Sequence, residues 1–86
     1  MKIGTRFTAD YDIGIFKPAL KGYRRETVHA TLVAVTEKAA KVEKAYIPPA
    51  RSKAQYFFSK YYEEKEIGKK KNISRLSNVV IVEEPV

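Results

Sequence analysis

From Glu26 to Glu37 the chain reads ETVHATLVAVTE, and its alternation constrains the fold more than any other feature. Val28, Ala30, Leu32 and Ala34 fall on one side of an extended backbone; Thr27, His29, Thr31, Val33 and Val35 fall on the other. Successive side chains of a strand point to opposite faces, so this period of two predicts a strand with one buried face. The turn residues Thr36-Glu37-Lys38 follow, and AAKVEKAYI then sets Ala40 and Val42 against Lys41 and Glu43. The two runs predict a β-hairpin with a short loop. Pro48-Pro49 ends its second strand, because proline has no N–H to give to a ladder.

A helix is predicted next. Ser52-Lys53-Ala54-Gln55 fits a capping box, in which the serine oxygen and the glutamine side chain each satisfy a free backbone N–H. Ala54, Phe57, Phe58, Tyr61 and Tyr62 recur at helical spacing and form one stripe. Phe57, Phe58 and Tyr61 are its expected buried part, while Tyr56 shares a different flank with Lys53 and Lys60. Gly68 suits the left-handed residue past the helix end. Glu63, Glu64 and Glu66 lie against the macrodipole there, at a cost of about a few tenths of a kcal/mol each.

NVVIVEE is a nearly continuous β-branched run and predicts a well-buried strand. TRFTADY and IGIF supply one or two further strands, and KPALKGYRR, with Pro18 and Gly22, reads as an exposed basic loop. The sum is a small α+β domain: a mainly antiparallel β-sheet or partly open barrel with one aromatic-rich helix. Val28, Leu32, Val42, Phe57 and Val80 are the expected core.

With 86 residues the chain forms one domain that buries roughly 60–65% of its unfolded surface, so the core is modest. There is no cysteine, which excludes disulfide staples and thiolate metal sites and suits a reducing compartment. MKIGTRFTADYDIG lacks the apolar core of a signal peptide, and no apolar run reaches the roughly 18–20 residues that cross a bilayer. A soluble, cytoplasmic protein without a membrane partner is expected.

Seventeen basic and ten acidic residues leave a net charge of +7, which favours a polyanionic or acidic partner. The charge is not spread evenly. Residues 17–25 carry +4, 51–60 carry +3 and 69–75 carry +4, while 61–68 and the tail are acidic. Candidate binding residues follow: Lys21, Tyr23, Arg24 and Arg25 in the first block; Arg51, Lys53, Tyr56 and Lys60 in the second; Lys69, Lys70, Lys71 and Arg75 in the third. Arginine grips phosphates and carboxylates bidentately, and an exposed tyrosine offers a ring on which a base can stack. The lysine run KKKN reads equally well as a solvated connection and as a phosphate contact.

Catalytic chemistry has little to stand on. His29 is the one histidine, and a metal site needs three or four ligands, so it reads as a partly exposed strand residue. No nucleophile-histidine-acid spacing, paired-carboxylate motif or glycine-rich phosphate loop occurs. The expectation is a non-enzymatic protein without cofactor or metal.

LVAVTEKAAKVEKAYIPPARSK, residues 32–53, resembles a strand-turn-strand pattern in small proteins of bacteriophages and mobile elements. In those proteins a TEKA turn leads into a strand that ends in a proline step; here Tyr46-Ile47 stand where a tryptophan usually precedes the proline. The resemblance implies context rather than activity and transfers no site residue. Two functions fit the chain. One is a nucleic-acid-binding module whose basic blocks contact the phosphates of DNA or RNA. The other is a module that binds and inhibits or modulates a host protein, such as an acidic or nucleic-acid-binding protein like a defence nuclease. The mixed charge of YYEEKE leans towards the second.

Overall fold

The computed structural model describes residues 1–17, 22–48 and 53–85; for Phe16, Lys17, Tyr23, Arg24 and residues 53–59 the description stops at the backbone. Strand β1 spans Arg6–Lys17, β2 Gly22–Ala34 and β3 Ala39–Tyr46; helix α1 spans Lys53–Glu66, β4 Lys70–Asn72 and β5 Ser77–Glu83. The strands form one antiparallel sheet in the order β4-β3-β2-β1-β5, so β4 and β5 are its ends. The α+β expectation holds at this level: one five-stranded sheet and one helix.

The alternation in β2 does what its pattern dictates. Val28, Ala30, Leu32 and Ala34 are buried, and Thr27 and His29 are exposed on the opposite face. In β1 the same period sends Phe7, Ala9, Tyr11 and Ile15 inward. The hairpin loop closes through Thr36, whose Oγ1 accepts the N–H groups of Lys38 at 3.2 Å and Ala39 at 2.9 Å. This local turn chemistry competes well with an extended backbone and fixes the register behind it.

In β3 the alternation changes phase. Thr31 pairs with Lys44 and Leu32 with Val42, so Glu43 is an extra residue with no partner of its own. Such a bulge shifts the two-residue period by one. Val42 points inward before it, and Ala45 and Ile47 point inward after it, with Ile47 buried.

β1 and β2 pair along their whole length, from Arg6 opposite Val33 to Lys17 opposite Gly22. β3 joins β2 only from His29 to Ala34, and β5 joins β1 only from Arg6 to Asp10. Among the described residues, the rest of the hairpin is a two-stranded ribbon. Seven rungs, from Tyr11–Val28 to Lys17–Gly22, make it about 20 Å long at a strand's rise. The expected basic loop KPALKGYRR is thereby corrected in part: Lys17 ends β1, and Gly22 to Arg25 begin β2. The N-terminal segment, expected to supply one or two strands, is one long strand.

Helix α1 packs against β3. Glu63 Oε1 accepts the Ile47 N–H at 2.7 Å, and half-buried Tyr62 joins the core cluster. Gly68 follows with φ +89°, a backbone region that favours glycine, and its N–H bonds to the Val42 carbonyl at 2.8 Å. The turn delivers β4 to the free edge of β3. One expectation about this helix fails: Tyr61 is half exposed, not buried. The inward face of the last turns runs through Tyr62 and Glu66 instead, because Lys69 and Lys71 face Glu66. Ser52 lies outside the described residues, as do the side chains of Ala54, Phe57 and Phe58.

The largest correction concerns β5. Expected as a well-buried strand, it is exposed at all seven residues, with Val80 at 59% and Val82 at 60%. Its apolar run carries no information about what lies over it. The helix covers β3, and no described element covers β5, which is an end of the sheet. Val80 is therefore not core, whereas Val28, Leu32 and Val42 are.

Candidate functional site

Where the ribbon leaves β5 behind, a cleft of about 770 Å³ opens. One wall is β1 from Asp10 to Gly14, faced by Arg25 and Thr27 of β2; the other is built by Lys71, Arg75, Ser77 and Asn78. Its position follows from the topology. β5 starts opposite Asp10, so the residues that lead into β5 are held beside the first unaccompanied rungs of the hairpin.

Register explains the polar groups on the outer face. Asp10 stands opposite His29 and Asp12 opposite Thr27. His29 Nδ1 lies 2.7 Å from Asp10 Oδ1, and Thr27 Oγ1 donates to Asp12 Oδ1 at 2.9 Å. Asn78 Nδ2 donates to the second Asp10 oxygen at 2.9 Å. The Asn78 and His29 hydrogen bonds, in that order, hold the Asp10 carboxyl below the usual carboxylate range. Asn78 has φ +53°, a conformation that asparagine tolerates better than most residues. The Tyr46 ring lies against His29 with centroids 6.4 Å apart, and both rings are about half exposed.

An ionic cluster around a buried carboxylate adjoins the cleft and shares Tyr11 and Lys71 with its lining. Glu66, at 3% exposure, receives Lys69 Nζ at 2.7 Å and Lys71 Nζ at 2.9 Å. Lys71 also lies over the Tyr11 ring, 4.6 Å from its centroid. Burial acts to raise the Glu66 carboxyl, but the two ammonium groups outweigh it and hold the carboxyl below its ordinary value. Burial first, and then the charge of Glu66, push the Tyr11 hydroxyl up. The expected adverse acid at the helix end is thus the anchor for the strand that follows.

The three basic blocks meet in part. Arg25 comes to the cleft from the first, and Lys71 and Arg75 come from the third. Lys69 and Lys71 are held by Glu66, which corrects the reading of KKKN as a free loop; exposed Lys70 lies on β4. Lys60 is exposed on α1 and does not line the cleft. Tyr23 and Arg24 lie on the ribbon opposite Phe16 and Ile15, and Lys53 and Tyr56 lie in the first turns of α1, all described by backbone alone. Lys21 and Arg51 lie outside the described residues.

Asp10, Asp12, Asn78 and Glu66 escaped the sequence reading. For the aspartates a signal existed: once β1 and β2 are set in register, D-x-D falls opposite T-x-H. Among the described residues, no group of three or more His, Asp or Glu side chains is placed to hold a metal ion, and no helix is long and apolar enough to cross a membrane. The exposed guanidinium groups of Arg25 and Arg75 can grip an oxyanion, and Thr27, Ser77 and Asn78 add neutral donors. The two aspartates already accept hydrogen bonds within the fold. Comparison of the chain with protein-family models, with curated proteins and with solved structures finds no match.

Proposed function

We infer that this is a small, basic, non-enzymatic binding protein of the cytoplasm whose ligand is nucleic acid, held by the β1–β2 ribbon and the cleft at its base. One observation carries the reading: Arg25, Lys71 and Arg75, from basic blocks far apart in sequence, line one cleft. Affinity for nucleic acid comes largely from phosphate contacts, and cations gathered at one place outweigh cations dispersed over a surface. The ribbon adds shape. A two-stranded β-ribbon fits a duplex major groove of about 12 Å, and Arg24 lies on it opposite Ile15, beyond the cleft. Tyr46, exposed beside His29, offers a ring to an unpaired base, an interaction of about 1–3 kcal/mol in single-strand binders.

Asp10 and Asp12 favour a second reading. They put negative charge on the cleft's β1 wall, which repels phosphate but suits a protein partner with basic side chains. This is the alternative of a module that binds and modulates a host protein.

Fluorescence anisotropy with labelled single-stranded and duplex DNA and RNA, over a salt series, tests the first reading. The logarithm of affinity should fall linearly with the logarithm of salt. Arg25→Ala and Arg75→Ala should each flatten the slope by about 0.7 for single strands or about 0.9 for duplex. Absence of binding to all four probes at low salt sinks the nucleic-acid reading. Capture of a partner from nuclease-treated lysate then supports the second.

A further inference from the structure

The two ends of the sheet are treated in opposite ways. β4 is three residues long and presents Lys70 and Asn72, the short, lysine-bearing edge by which proteins discourage strand addition. β5 is seven residues long, carries no charge from Ser77 to Val82, and exposes Val79, Val80, Ile81 and Val82 by 40 to 60%. Two register shifts against β1 bend it, but neither brings a charge to the edge. Among the described residues, nothing pairs with its outer side. An uncharged, β-branched edge of this kind invites another strand.

The sequence around β5 identifies that strand. Arg75 precedes it and Glu83-Glu84 end it, so the segment is positive at one end and negative at the other. Antiparallel pairing of two copies sets each positive end against the partner's negative end. Parallel pairing sets like against like. The apolar residues between the ends match a copy of themselves. From Leu76 to Val86 the sequence carries no Lys or Arg, so two copies of a +7 molecule bring no positive charge from this segment into the seam. We propose that the protein is a homodimer formed by antiparallel pairing of β5 with β5 of a second copy, which joins the two sheets into one across a two-fold axis.

Sedimentation velocity and light scattering over a concentration series test this proposal. The wild type should pass from 9.8 kDa to twice that mass. Val80→Lys/Val82→Lys replaces exposed residues, so its circular dichroism should be unchanged while it stays monomeric. Charge exchange tests the pairing direction. Arg75→Glu alone and Glu84→Arg alone should each weaken the dimer by setting like charges together. An equimolar mixture of the two variants should restore it, because both opposed pairs return in the heterodimer. A wild type that stays at 9.8 kDa up to millimolar protein, a dimer that survives the double lysine substitution, or single variants that the mixture does not rescue would each overturn the proposal.

Discussion

Lys71 reaches across from β4 to place its ammonium 2.9 Å from Oε1 of Glu66, the last residue of α1. Five positions separate them, and Gly68 turns the chain between them. Together with Lys69, this contact ties helix, edge strand and the Tyr11 ring into one unit around the buried Glu66 carboxylate.

The first prediction rests on that unit. Glu66→Gln removes the charge but keeps the shape, and leaves two ammonium groups that can partly rehydrate. It should destabilise the fold by about 1–3 kcal/mol at neutral pH. The folded carboxyl titrates below its unfolded value, so its stabilisation is complete above roughly pH 4.5 and disappears as pH falls through the folded pKa. Denaturant titrations from pH 7 to pH 2 should therefore show the gap between wild type and Glu66→Gln closing in acid. A gap independent of pH would mean that the carboxylate charge is not what the lysines hold.

Simultaneous replacement of Lys69, Lys70 and Lys71 by alanine is not the neutral change that a solvated lysine loop implies. Loss of Lys69 and Lys71 leaves Glu66 buried without a cation, and removal of one side of a buried pair costs about 3–5 kcal/mol. Lys70→Ala, at an exposed position without that contact, should stay within about 0.5 kcal/mol of wild type. Thermal melts of the triple and single variants distinguish the two cases.

Leu32 is fully buried on β2, and Leu32→Ala should cost about 2–5 kcal/mol, enough to unfold much of so small a domain. Val80→Ala, at a site 59% exposed, should cost less than about 1 kcal/mol in dilute protein, where self-association does not contribute. Similar losses at both sites would contradict the exposed edge.

Asn78 combines a backbone role with a side-chain role. Asn78→Gly keeps the positive φ but removes the donor to Asp10, so the Asp10 carboxyl should titrate closer to its ordinary value, as carbon-13 NMR can follow. Asn78→Val adds the strain of a β-branched residue at positive φ and should be less stable than the glycine variant by about 1–2 kcal/mol.

Tyr46→Ala should weaken single-strand binding at every salt concentration and leave the salt slope unchanged, because stacking on a ring releases no counterions. A changed slope with unchanged low-salt affinity would remove Tyr46 from the stacking role.

The sequence was legible where one residue's fate depends on its immediate neighbours. Val28 to Ala34 alternate, Thr36 makes the turn, and Val42 resumes the pattern, so this hairpin could be read directly. It failed where fate depends on a distant element. Val79 to Val82 look like a strand covered on both faces, yet coverage is decided by where α1 packs, which those residues do not encode. Glu66 looked misplaced at a helix C-terminus because its partners arrive only after the Gly68 turn. Arg25, Lys71 and Arg75 were legible as cations, but their meeting at one cleft depends on β5 starting opposite Asp10. Spacing alone puts Tyr61 inward, but the stripe that the fold buries is rotated towards Tyr62 and Glu66.

The bulge at Glu43 makes β3 a strand written in two reading frames. Upstream the inward positions are even-numbered, and downstream they are odd-numbered. Deletion of Glu43 is therefore a different event from its substitution. Glu43→Ala removes a surface ion pair with Arg6, whose Nε lies 3.0 Å from Glu43 Oε2. Deletion merges the frames: Val42, Lys44 and Ala45 become consecutive rungs opposite Leu32, Thr31 and Ala30, so the bulge disappears while Ala45 and Ile47 stay inward and Lys44 and Tyr46 outward. One unpaired residue thus acts as punctuation: it contributes no rung to the ladder, and the rungs on either side of it read through without it.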